Sequence, residues 1–268
     1  MRIALAIAGS DSIAGAGIQA DLKTFAALGV YGVSAVTAIT AQDTRGITRT
    51  VVLSADIVRA QIECVAGDAG IAAVKTGMLA SAEIVHAVSE ALGRLDRRRL
   101  VVDPVMAASG TGARTLLSAE AVSMLKTHLL PAATVVTPNL AEATALSGVR
   151  VESLSDAREA ARRIAGFGAG AVVITGGHLS GPQAIDLLYH DGAFVEFAAP
   201  RSAHDAVHGT GCTFASAIAA GLALGDDVPD AVQRAKRYVT GAIEHSLEIG
   251  HGARVPNHFW GLPSARTL

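Results

Sequence analysis

The chain has 268 residues, 50% of them hydrophobic, and a formal net charge of −2. That length can bury a sizeable α/β core, while an aromatic content of 4% excludes a stacking platform for single-stranded nucleic acid. The one basic run, Arg97-Arg98-Arg99, is placed to end a helix before a strand, so nucleic acid is not an expected partner. Cys64 and Cys212 lie far apart, with neither a disulfide framework nor zinc-ligand spacing, and suit a reducing cytoplasm.

The first apolar run, Ile3–Ala8, is too short to span a membrane and runs into Gly9-Ser10-Asp11-Ser12. It reads as a buried strand. A helix follows over 17–28, closed by Gly29 as a C′ glycine. Ile18, Leu22 and Phe25 form its buried stripe, and Asp21 borders that stripe, where a carboxylate needs a partner or a ligand. Further strands are expected at Val33–Thr40, Ala72–Lys75, Leu100–Val102, Thr134–Thr137 and Ala171–Thr175. Helices are expected near 55–66, 81–93, 118–129, 140–147, 155–167, 210–224 and 228–247, with Ser54 and Ser81 as N-caps and Glu83 in a first turn. The strand runs are apolar throughout, as strands covered on both faces are. Their alternation with helices predicts a mainly parallel sheet in one α/β domain over residues 1–268. Polar and glycine-rich residues recur just after the strands: Gln42-Asp43-Thr44, Lys75-Thr76-Gly77, Asp103-Pro104-Val105, Thr137-Pro138-Asn139 and Thr175-Gly176-Gly177. Ligands of open α/β sheets bind at that edge.

The strongest local signal is His208-Gly209-Thr210-Gly211-Cys212-Thr213 ahead of an apolar helix. Glycines let the backbone approach an anion, and the helix behind presents unpaired N–H groups and the positive end of its dipole. A cysteine at a helix N-terminus is expected to favour the thiolate. Nothing reads Gly-x-x-x-x-Gly-Lys-Ser/Thr, and Gly15-Ala16-Gly17 lacks the third glycine of a dinucleotide fingerprint. Asn139 and Glu142 open a helix. They fit a plain capping box as well as a hydrated Mg²⁺ with its phosphates.

Taken together, Ala8-Gly9-Ser10-Asp11-Ser12, Gly15–Phe25, Thr40-Ala41-Gln42-Asp43-Thr44, Lys75-Thr76-Gly77-Met78-Leu79, Val102–Met106, Val136–Leu140, Gly176-Gly177-His178, His208–Thr213 and Gly250-His251-Gly252 resemble the hydroxymethylpyrimidine/phosphomethylpyrimidine kinase family, within the ribokinase-like superfamily. The resemblance runs from Ile3 to about Trp260. It implies a three-layer α/β/α fold, MgATP as phosphoryl donor, a role in thiamine biosynthesis and a homodimer. It places Gln42 on the pyrimidine, with Gly9, Asp21, Met78 and Val105 around the substrate. Asn139, Thr175 and Gly177 fall on the nucleotide side, and Glu142 and Asp103 toward the metal. Gly209, Thr210, Gly211 and Cys212 form the anion hole. A carboxamide at Gln42 suits an amino group beside a ring nitrogen. Cys212 stands where most of the superfamily has a catalytic Asp; a carboxylate there would repel an already phosphorylated acceptor, and a Cys is expected to tolerate both that acceptor and a hydroxyl.

Three positions depart from the family pattern. The loop Ser12-Ile13-Ala14-Gly15 is bulkier than the usual Ser-Gly-Gly, and Thr175 and Ala108 replace lysines. Thr175 also resembles the neighbouring pyridoxine/pyridoxal kinases, the alternative within the same reaction class. A non-catalytic small-ligand binding protein on the same fold is the alternative outside it. Lys236 reads first as a solvated surface lysine and second as one that approaches the nucleotide, and Lys75 as a residue serving the substrate edge or a carboxylate partner. His178 reads equally as a loop hydrogen-bonder or a ligand. Glycines at 9–17 and 110–112 are hinge or lid candidates.

Overall fold

The computed structural model describes residues 1–95, 99–107, 116–177, 181–202 and 207–262. Arg97, Arg98, Ala108, Gly110, Gly112 and His178 lie outside these. The six apolar runs form the parallel centre of one sheet: β1 (Ile3–Asp11), β2 (Tyr31–Asp43), β4 (Ile71–Thr76), β5 (Leu100–Val102), β6 (Val135–Val136) and β7 (Ala171–Ile174), in the order β2-β1-β4-β5-β6-β7. Leu5 of β1 pairs with Val33 on one side and Val74 on the other.

Three further strands were not expected: β3 (Gly46–Val52), β8 (Gln183–His190) and β9 (Ala193–Pro200). They add antiparallel edges, β3 beside β2, and β8 then β9 beyond β7. β3 and β9 are largely solvent-facing, and β8 is buried at Asp186–Leu188 but carries Gln183, Asp186 and His190, so none has the continuous apolar run of a strand buried on both faces. The β8–β9 turn did carry a readable signal. Asp191-Gly192, with φ of 49° and 77°, is the Asp-Gly pair that a tight hairpin favours.

Helices cover both faces, giving the expected three layers. α1 (Gly17–Ala27), α7 (Thr210–Leu224) and α8 (Val228–Glu244) pack on one face with Ala4, Ala6, Val101 and Val173. α2 (Ala55–Asp68), α3 (Ala82–Gly93), α4 (Ala119–Met124), α5 (Leu140–Ser147) and α6 (Leu154–Ala165) pack on the other with Leu5, Ile7, Val102 and Val172. Beyond α4 the chain widens into a π turn, Leu125–Leu129. Ser54 and Ser81 cap α2 and α3, accepting from the N–H groups of Ile57 and Ile84. α7, rich in alanine and glycine, is buried along almost its whole length and packs across β1, β4 and β5 between α1 and α8. Small side chains permit that close approach on all sides. They also set the N-terminus of α7 near the middle of the sheet edge. Among the described residues no helix is long and apolar enough to cross a membrane.

Candidate active site

Strand order alone lays the predicted residues out in a row. Across the sheet come Gln42 from β2, Gly9 from β1, Met78 after β4, Asp103 and Val105 after β5, Asn139 and Glu142 at the start of α5, and Thr175 and Gly177 after β7. All of them line one cavity of about 320 Å³. Gly209, Thr210, Gly211 and Cys212, at the start of α7, line it too. Gln42 and Thr175 therefore sit toward opposite ends, with the helix N-terminus between them.

The anion-binding turn depends on one glycine. Gly209 has φ +95°, and a Cβ there would lie 1.8 Å from the carbonyl oxygen of Gly15. The loop after β1 is thus pressed against the start of α7. Asp11 holds that loop, accepting from the N–H groups of Ile13 (3.1 Å), Gly15 (3.0 Å) and Ala16 (2.8 Å). Ala14 stands at φ 61°, a left-handed conformation that costs a non-glycine residue about 1–2 kcal/mol. The Asp11 bonds hold the turn in shape despite the missing glycines. On the far side, His258 Nε2 meets Thr213 Oγ1 at 3.1 Å, and Thr213 donates to the Gly209 carbonyl, so the C-terminal segment braces the same turn.

Beneath the turn lies a buried charge cluster. Lys75 is fully buried, its Nζ 2.8 and 3.0 Å from the Asp21 carboxylate oxygens and 3.9 Å from Asp103 Oδ2. Burial opposes the ammonium, but Asp21, Cys212 and Asp103 outweigh it and hold its pKa above the usual lysine range. Ser216 donates to Asp21 Oδ1 at 2.7 Å. Asp21 corrects the sequence reading: it is fully buried and absent from the cavity wall, so its partner is Lys75 rather than a substrate. Gly77 makes room for this pair, since a Cβ there would lie 2.8 Å from Lys75 Nζ.

The expected thiolate is also corrected. Burial pushes the Cys212 thiol up to about 12, with Asp103 and Asp21 adding to the effect despite Lys75. At neutral pH Cys212 is an uncharged thiol. Burial pushes Asp103 up to about 6 and Glu142 up to about 8, the Asp103 charge adding to the latter. Asn139 and Glu142 do form the capping box: Glu142 N–H donates to Asn139 Oδ1 at 3.0 Å and Asn139 N–H to Glu142 Oε2 at 2.9 Å. Capping does not exhaust their role, because both face the cavity. Asp103 Oδ2 is buried without a hydrogen-bond partner. A divalent cation between these two carboxylates would satisfy that oxygen and relieve their mutual repulsion. Two carboxylates completed by phosphate oxygens and water suit Mg²⁺.

Raised carboxyl groups make stability pH-dependent. Glu142 holds its proton in the folded chain up to about pH 8 and loses it near 4.5 when unfolded. The folded state binds more protons across that window, so its stabilisation falls as pH rises. Without nucleotide or metal, the melting temperature is expected to drop between pH 6.5 and 8.5, where Asp103 has largely ionised. Glu142→Gln is expected to flatten the drop in a calorimetric pH series.

Lys236 is a third correction. It is buried, donating to Asp186 Oδ2 at 2.9 Å and to the Ala184 carbonyl at 2.8 Å. Asp186 also accepts from Gly176 N–H, and both charged residues line the cavity near Thr175 and Gly177. The signal was present: Lys236 lies four residues after Val232 and three before Val239, on the buried stripe of α8. Asp186 carried no such signal, because β8 was not expected. His208 and Asp11 were within quoted motifs but unassigned, and both line the cavity.

An α/β/α sheet carrying a helix-N-terminal anion hole and a carboxylate pair in one cavity along its strand edge defines a ribokinase-like small-molecule kinase. The phosphomethylpyrimidine kinase family model matches residues 11–257. The hydroxymethylpyrimidine/phosphomethylpyrimidine kinase of Streptomyces coelicolor is 49% identical over 260 residues, 97% of this chain and 95% of that protein. The thiamine biosynthesis bifunctional protein ThiED of Geobacter sulfurreducens is 47% identical over 98% of this chain and 53% of that protein. The Staphylococcus aureus pyridoxal kinase structure in complex with AMP-PCP and pyridoxal superposes with a TM-score of 0.90 at 37% identity, covering 98% of this chain and 95% of that one. The chain belongs to the phosphomethylpyrimidine kinase family.

Proposed function

We propose that this enzyme transfers the γ-phosphoryl group of ATP to 4-amino-5-hydroxymethyl-2-methylpyrimidine, and then a second to the resulting monophosphate, in thiamine biosynthesis. The observation that carries this reading is Gln42 at one end of the cavity that Gly209–Cys212 line. A carboxamide there can read an amino group and its neighbouring ring nitrogen while the hydroxymethyl group faces the helix N-terminus. Gly9, Met78 and Val105 supply the apolar walls, and Asn139, Thr175 and Gly177 the nucleotide side. Asp103 and Glu142 would hold Mg²⁺, which would supply positive charge to offset that of the phosphates. Cys212, as an uncharged thiol, neither repels the monophosphate nor takes the acceptor's proton.

The chain of 1–268 acts as one catalytic domain and pairs as a homodimer. Support for self-association comes from the sheet's β3 edge, where the cross-strand pair Ile39 and Val51 is exposed. Both cysteines are unpaired, as a cytoplasmic enzyme requires. Likeness to pyridoxal kinase keeps a vitamin B6 substrate as the second reading, which Gln42 disfavours because a pyridine ring offers no amino–ring-nitrogen edge.

The test is incubation with MgATP and the hydroxymethylpyrimidine, with pyridoxine in parallel, followed by mass spectrometry. A pyrimidine diphosphate is the expected product, from protein that scatters light as a dimer. Monophosphate alone would tie the absent lysines at Ala108 and Thr175 to a lost second step. Turnover of pyridoxine alone would replace the reading.

A further inference from the structure

The Gln42 carboxamide is held by two side chains, and their own partners decide which way round it sits. Thr40 Oγ1 lies 2.8 Å from the Ser10 carbonyl and 3.2 Å from one terminal atom of the Gln42 amide. A hydroxyl has one proton, and the Ser10 carbonyl can only accept, so that proton goes to Ser10. The structure sets Gln42 Oε1 toward Thr40 and Nε2 toward His208; turning the amide over would give Thr40 Oγ1 a donor, the NH₂ group. That turn would put the oxygen 2.8 Å from His208 Nε2, which would then carry a proton to donate.

An independent contact leads to the same assignment. His208 Nε2 also lies 3.3 Å from Asp11 Oδ2, an oxygen already accepting from the N–H groups of Gly15 and Ala16. Such an oxygen welcomes a further donor and repels a bare ring nitrogen. One Nε2–H shared between Asp11 and Gln42 satisfies both contacts.

We infer that His208 is a specificity-determining positioning residue, which orients the Gln42 amide so that its remaining lone pair and N–H read a ring bearing an exocyclic amino group beside a ring nitrogen. This rests on the pyrimidine kinase reading above. His208 directly precedes Gly209, so one residue ties the base-reading amide to the anion-binding turn. Asp11, anchored by three backbone N–H groups, fixes the direction of the whole chain of bonds from β1 to β2.

Two measurements test it. In wild-type enzyme without ligands, long-range ¹H–¹⁵N NMR of ¹⁵N-histidine-labelled protein at pH 8 is expected to place the His208 proton on Nε2. A proton on Nδ1 alone would overturn the inference, whatever the substrate proves to be. In kinetics, His208→Phe is expected to raise KM for the aminopyrimidine about 5- to 150-fold, the span of a lost bidentate base contact. Its kcat and its KM for ATP are expected to change little, and its preference over pyridoxine to narrow by the same factor. His208→Gln restores an N–H at the same reach and is expected to recover most of that preference. A His208→Phe enzyme discriminating like wild type would overturn the inference. Failure of the wild type to phosphorylate the pyrimidine would remove the substrate reading and leave the NMR result to judge the bonding.

Discussion

Gly209→Ala is expected to lower kcat by about 10²–10³, the cost of losing a preorganised donor to a developing anion. The added methyl would sit 1.8 Å from the Gly15 carbonyl oxygen, 2.6 Å from its carbon and 3.0 Å from Ala16 Cα. All three are backbone atoms, so no side chain can swing aside. Either the start of α7 retreats or the Asp11-anchored loop does, and φ +95° adds strain in both cases. The N–H groups of Gly211 and Cys212 move with Gly209, and the anion hole loses its aim. Gly225→Ala is the control. It also has positive φ, but a Cβ there meets nothing within 4 Å, and it ends α7 far from the cavity. That variant is expected to lose about 1–2 kcal/mol of stability to the left-handed backbone while keeping full activity. Steady-state kinetics beside urea unfolding separates the two. Equal activity losses in both variants would mean that the contact at Gly15 does not govern the site.

Lys75→Met is expected to destabilise the fold by about 3–5 kcal/mol, the usual result of removing one partner from a buried ion pair. Asp21 would be left fully buried with Ser216 as its remaining donor, and Asp103 would lose its nearest cation. Asp21→Asn in the same chain removes the stranded charge and is expected to restore half the loss or more. Urea unfolding of the single and double variants reads the coupling between them. A Lys75→Met enzyme as stable as wild type would show that the two groups are not held as an ion pair in the native state. The activity of the double variant reports separately whether the ammonium under Cys212 and Asp103 matters to phosphoryl transfer.

These two sites differ in how visible they were beforehand. Gly209 stood in a motif whose chemistry could be read from residue types alone, because glycine and helix-start signals are local. Lys75 and Asp21 were each noticed as awkward charges on apolar elements, but nothing local says that β4 and α1 bring them within 2.8 Å. Periodicity located every helix and every central strand for a similar reason: strands buried on both faces are apolar throughout, and helix caps are written next to their helices. β3, β8 and β9 escaped because half-solvated strands share the composition of loops. Asp186 went with them.

The sequence by itself determined the alternation of strand and helix, the clustering of polar residues after the strands, and the glycine turn ahead of α7. All of these follow from bonds and sterics within a few residues. Only the tertiary structure decided how charges were used. It moved Asp21 off the cavity wall and Lys236 onto it, turned a predicted thiolate into a thiol pushed up to about 12, and joined Gln42 to Asp11 through His208. Protonation and pairing depend on burial and on neighbours distant in the chain, so they come into being only when the sheet closes over them.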